Sequence, residues 1–110
     1  MKKSIIWLSY DLGIKGDYPG LFSFLDSHNA KECGDGMATL EFEWDYDLEA
    51  ELMAALKAAT TFAASDRIYV IYRDREAQKN RGKFLVGKRK INPPWHGYSL
   101  LGVVEEEAGE

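Results

Sequence analysis

Between Ile5 and Leu12 apolar residues fall on both sides of an extended run, with Ile6, Leu8, Tyr10 and Leu12 on one side and Ile5 and Trp7, then Ser9 and Asp11, on the other. A strand of this kind is predicted to be central in its sheet, with its second face at least partly covered. The loop Gly13 to Gly16 follows. Asp17 then suits a helix N-cap, Pro19 sits in the first turn where its missing N–H is harmless, and Tyr18, Leu21, Phe22 and Leu25 recur at i, i+3, i+4 and i+7. These positions predict a short amphipathic helix ending near His28 and Asn29. Two strands come next, Ala30 to Gly34 and Met37 to Trp44, split by the turn signal Gly34, Asp35, Gly36. In the second, Ala38, Leu40, Phe42 and Trp44 alternate with Thr39, Glu41 and Glu43, so one face is buried and the other is wet or meets a polar partner.

Asp45 or Asp47 is placed to cap a second helix, Leu48 to Thr60, whose stripe is Leu48, Leu52, Ala55, Leu56 and Ala59. Arg67 to Arg73 is a β-branched and aromatic strand. The polar stretch Asp74 to Gly82 predicts a loop, Lys83 to Lys90 a further strand, and Pro93 with Pro94 an end to regular pairing. Ile91 to Tyr98 is expected to form an ordered arm, because Trp95 and Tyr98 are costly to leave in water, and Leu100 to Val104 to add an edge strand. The order βαββαββ, with helices on one face, gives an α+β fold: a ferredoxin-like βαββαβ two-layer sandwich with an appended C-terminal strand and arm. Residues 1–104 form a single domain (91–104 its arm), and 105–110 an acidic tail that frays. In this topology the third strand lies between the first and second, and Asp11, Asp17 and Asp35 share one edge of the sheet.

Charge sharpens the picture. Of the 18 acidic residues, Glu105, Glu106, Glu107 and Glu110 lie in the tail, which leaves 14 acids against 14 bases. Asp26 to Glu51 holds nine acids and one base, whereas Arg67 to Lys90 holds nine bases and two acids. The halves have opposite signs. One cysteine, Cys33, excludes an internal disulfide and points to a reducing, cytoplasmic setting. The apolar run behind Lys2 and Lys3 is too short for a signal peptide or a membrane span, so no membrane is expected. His28 and Cys33 lack a third group to orient them as a nucleophilic pair, so Cys33 is read as a small buried side chain. Gly13 and Gly16 do not match a P-loop or dinucleotide spacing.

Ser9, Tyr10, Asp11 and Leu12, closing the first apolar strand of a chain with this element order, resemble the small CRISPR-associated adaptation protein and the virulence-associated protein D group. The resemblance implies a ferredoxin-like homodimer, an extra strand that joins the partner's sheet, and Asp11 as ligand for a metal ion near the two-fold axis. Mg²⁺ held there would polarise a phosphodiester, so Asp11 is both the catalytic and the metal candidate for an endonuclease. The other reading of Asp11 is a loop cap that accepts backbone N–H bonds. Arg73, Arg75, Lys79, Arg81, Lys83, Lys88, Arg89 and Lys90 are the candidates for nucleic-acid binding, with Tyr69, Tyr72, Trp95 and Tyr98 available for stacking where exposed. Trp7, Trp95 and Tyr98 are the candidates for dimer or partner contacts. The expected function is a nucleic-acid-associated homodimeric module. The alternative is a non-enzymatic protein-interaction subunit of a defence or toxin–antitoxin type system, engaged through the segregated charges.

Overall fold

Alternation in the first strand decides the architecture, because its two faces meet different surroundings. A computed structural model describes residues 1–99. Among them the elements run β1 (Lys2–Asp11), α1 (Tyr18–Ser27), β2 (Lys31–Glu32), β3 (Met37–Trp44), α2 (Leu48–Ala59), β4 (Arg67–Asp74) and β5 (Lys79–Val86). The strands form one antiparallel sheet in the order β2-β3-β1-β4-β5, making a small α+β domain with β1 at its centre. The hairpin does set β3 between β1 and β2. The expected strand over Leu100 to Val104 and the acidic tail lie outside the described residues.

One face of the sheet carries the core. Ile6, Leu8, Leu40, Phe42, Ile68 and Val70 meet Leu21, Phe24 and Leu25 of α1 and Leu48, Leu52 and Leu56 of α2. Burial of each large apolar side chain contributes about 1.5–3 kcal/mol, so this layer dominates stability. The α1 stripe differs from the expected one, since Phe24 is buried and Phe22 is half exposed. Phe22 packs at the rim against the rings of Tyr10 and Tyr18, centroids 6.2 and 5.4 Å away, which turns α1 so that Phe24 faces the sheet. Both helices start on aspartates. Asp17 accepts from Gly20 N at 3.0 Å and from Thr61 N at 2.8 Å, tying α1 to the end of α2, while Asp47 accepts from Ala50 N at 3.1 Å.

Four expectations differ from the structure. The polar stretch after Arg73 is largely strand: β4 continues to Asp74, a tight turn follows with Gln78 at φ 52°, and β5 runs from Lys79 to Val86. As an edge strand with exposed side chains, β5 can pair through its backbone without an apolar pattern. Cys33 is exposed rather than buried, because it follows the two-residue β2 in the turn towards β3. The second face of β1 is uncovered by the described residues: Ile5 and Trp7 are 49% and 38% exposed, with Ile71 of β4 opposite Trp7. The arm folds into two tight turns, His96 N to Pro93 O and Tyr98 N to Trp95 O, but Trp95 and Tyr98 stay 72% and 68% exposed. No helix among the described residues is long and apolar enough to cross a membrane.

Candidate functional site

Asp11 closes β1 on the open face of the sheet, and the antiparallel register sets Arg67, the first residue of β4, directly opposite. The Arg67 Nη2 group donates to Asp11 Oδ2 at 2.7 Å. One step along, Ser9 faces Tyr69, and Tyr69 faces Phe84 of β5. The two rings meet edge to face, 4.8 Å between centroids at 73°.

Two glycines make this arrangement possible. Gly82 stands on the same face of β5, where any Cβ would overlap the Tyr69 hydroxyl, so its absence lets the Tyr69 ring lie down across the strand. Gly87, at φ 75°, has its Cβ position 2.5 Å from Asp66 O and therefore takes no side chain. The chain turns there and brings Arg89 back over both rings, its Cζ 5.8 Å from the Tyr69 centroid and 5.5 Å from that of Phe84. A cavity of about 270 Å³ results, lined by Ser9, Asp11, Arg67, Tyr69, Phe84 and Arg89. Beneath it, the fully buried Asp66 accepts from Gly13 N at 2.8 Å and from Ala63 N at 2.7 Å, which pins the loop after β1 to the start of β4.

The loop-cap role considered for Asp11 thus belongs to Asp66. Asp11 has instead an ion pair, 59% exposed on its own side and 26% on that of Arg67. Asp17 caps α1 and Asp35 lies in the turn before β3, and among the described residues no three His, Cys, Asp or Glu side chains converge as a metal site. A hard cation such as Mg²⁺ takes several oxygen ligands, and one carboxylate already held by a guanidinium is a poor start. Among the described residues of one chain, those around Asp11 do not fit Mg²⁺.

Strand alternation splits the basic cluster. Arg73 lies on the open face, Arg75 in the turn after β4, and Lys79, Arg81 and Lys83 project on the helix side of β5. There Arg81 pairs with Asp74, and Lys83 with Glu49 at 3.0 Å. Lys88, Arg89 and Lys90 follow β5, and of these Arg89 reaches the aromatic pair. Tyr72 is unavailable for stacking: it is buried and donates its hydroxyl to Glu49. That hydrogen bond, with Lys83 assisting, holds the Glu49 carboxyl below its ordinary range, while burial first and Glu49 second raise the Tyr72 phenol.

Sequence reasoning named Asp11, Tyr69 and Arg89 but missed Ser9, Arg67 and Phe84 as their neighbours. Arg67 is legible only once β4 is paired with β1, and Phe84 only once β5 is paired with β4 in the register that sets it opposite Tyr69. In chemical terms the cavity offers guanidinium forks, suited to phosphate, beside aromatic faces, suited to a base. No family model, curated protein or solved structure matches this chain.

Proposed function

We propose that the protein is a ferredoxin-like, homodimeric, nucleic-acid-associated module of the CRISPR adaptation and virulence-associated protein D type, acting in the cytoplasm. The cavity beside Asp11 carries the reading: Arg67 and Arg89 flank the rings of Tyr69 and Phe84 on a sheet face that the described residues leave uncovered. Phosphate and base are the two chemical groups that such a set takes together. The neighbour sequence β2-β3-β1-β4, with β5 appended, supports the ferredoxin-like topology.

Dimerisation is supported by the same face. Ile5, Trp7 and Ile71 form an apolar patch with Glu41 and Glu43 of β3 on one side and Arg73 of β4 on the other. A two-fold axis along β1 sets the acidic flank of each copy against the basic flank of the other, which favours this pairing over its inverse. Asp11 is four residues beyond Trp7, roughly 13 Å along the strand, so the cavity lies at the rim of that contact. The same axis turns two Asp11 carboxylates towards each other. Only there, with Arg67 released, does Mg²⁺ enter this reading.

Fluorescence anisotropy with labelled single-stranded and duplex RNA and DNA tests the proposal. Single strands are expected to bind with affinity that falls as salt rises, and Arg67→Ala with Arg89→Ala to weaken binding roughly tenfold or more. Binding untouched by the double variant would refute the site. Cleavage that needs both Mg²⁺ and an intact Asp11, lost in Asp11→Asn, is the sign of endonuclease activity. Trp7→Glu is expected to convert a dimer into a folded monomer in sedimentation. The second reading, a protein-interaction subunit of a defence or toxin–antitoxin type system, is favoured by the exposed Ile91, Trp95 and Tyr98 of the arm, and a dimer that binds no nucleic acid would select it.

A further inference from the structure

At the other end of β1 from Asp11, about 30 Å along the strand, lies a second and larger cavity of about 420 Å³. It opens on the helix side of the sheet, between the start of β1, the end of β4 and the first turn of α2. Its floor is apolar, built from Trp44, Leu48 and Tyr72, and its rim carries Lys2, Arg73 and Arg75. The volume falls within the range of roughly 300–1,000 Å³ in which small-molecule sites are found.

Several details suit one kind of occupant. The Trp44 indole is anchored at its edge, Nε1 donating to Ser4 Oγ at 3.0 Å, so its face is held in a fixed plane. Over that face stands a single flexible side chain, Lys2, with Nζ 4.5 Å from a ring centroid. Neither Arg73 nor Arg75 meets a carboxylate among the described residues. Asp74 does not neutralise them, because its carboxylate is turned to Arg81 and to Ala77 N. Glu76 is the one acid left on the rim.

We propose that this cavity binds a nucleoside phosphate. The base slides over Trp44 in place of Lys2, and the phosphate is gripped by the Arg75 fork with the displaced Lys2 beside it. A planar floor with edge-fixed indole and a cationic rim recognises an aromatic anion, which neither an apolar ligand nor inorganic phosphate alone satisfies. The site goes beyond the function proposed above and does not depend on it. Its occupant is either a free nucleotide or the 5′-phosphorylated end of a strand.

The test follows the Trp44 indole signal in ¹H–¹⁵N correlation spectra of the full chain, assigned by its loss in Trp44→Phe. Adenosine 5′-monophosphate is expected to move that signal saturably, and adenosine or inorganic phosphate to do so much less. Arg75→Ala, an exposed turn substitution with unchanged far-UV circular dichroism, is expected to weaken the response roughly tenfold. Glu76→Gln is expected to strengthen it, and Arg89→Ala, at the opposite end of β1, to leave it alone. Movement by a 5′-phosphorylated hexanucleotide but not by the mononucleotide assigns the site to a strand end; movement by the mononucleotide assigns it to free nucleotide. A signal unmoved by either, or moved equally by adenosine and in Arg75→Ala, overturns the proposal. Loss of single-strand binding in Arg89→Ala with the Trp44 response intact separates the two sites.

Discussion

Replacing Asp66 with alanine removes the strut beneath the Asp11 cavity. Its carboxylate is fully buried and accepts two backbone amides, Gly13 N at 2.8 Å and Ala63 N at 2.7 Å, from loops on either side of the sheet end. Hydrogen bonds to a charged group contribute about 1.5–3 kcal/mol each, so the pair is worth roughly 3–6 kcal/mol before relaxation. Gly13 is half-buried and Ala63 exposed, so water can reach the freed amides in part, which brings the expected cost to the lower end, about 3 kcal/mol. For a chain of this size such a loss lowers Tm by roughly 10–20 °C. Asp66→Asn keeps one acceptor oxygen and is expected to fall between alanine and wild type. Urea unfolding followed by circular dichroism measures both, with Asp26→Ala on the exposed side of α1 as the control. If Asp66→Ala costs no more than that control, the strut argument is wrong, and with it the claim that Asp66 pins the loop after β1 to the start of β4.

Three other outcomes follow from the same geometry. Leu56→Ala, at a fully buried position of α2, is expected to cost about 2–5 kcal/mol in urea unfolding, because the sheet above it cannot close the void. Gly82→Ala is expected to lift the Tyr69 ring, altering the near-ultraviolet circular dichroism and weakening single-strand binding while leaving far-ultraviolet signal intact. Stability should vary with pH at both extremes. Backbone amides hold Asp17 and Glu51 below their ordinary range, the Ala77 amide and then Arg81 do so for Asp74, and Tyr72 does so for Glu49. Depressed carboxylates stabilise the fold above their unfolded values, 3.8 and 4.5, and that contribution is lost as pH falls below them. Tyr10 and Tyr72, raised chiefly by burial, stabilise below 10.0 and lose the effect as pH climbs past it. A thermal midpoint flat from acid to alkaline pH would contradict these assignments.

What could be read from the chain depended on whether a residue's role was local. The β3 alternation and the aspartate caps at Asp17 and Asp47 are short-range signals, and each appears where expected. The choice between Phe22 and Phe24 was beyond a stripe count, because two aromatic contacts at the rim of α1 set its rotation. The first half of β5 was read as loop because an edge strand pairs through its backbone and exposes polar side chains, and the strand expected over Lys83 to Lys90 stops at Val86, before the turn at Gly87. The basic run looked like one patch in sequence and is three in space, since alternation sends Arg81 and Lys83 to the helix side, where Asp74 and Glu49 take them. Asp11 was singled out for its place at a strand end, yet its partner stands 56 residues away, a separation that only sheet register bridges.

The brevity of β2 leaves a template at the opposite margin of the sheet. It pairs with β3 at Thr39 and Ala38, and Cys33 N adds a bond to Met37 O, so from Leu40 to Trp44 the outer backbone of β3 has no strand neighbour among the described residues. A bare margin of that kind recruits foreign strands and seeds fibres unless charge repels them. Glu41 and Glu43 stand along that stretch and face solvent, and two copies approaching margin to margin would set like charges together. The acidity of this half therefore serves colloidal stability as well as any partner: a Glu41→Val, Glu43→Val chain should fold unaltered and then precipitate.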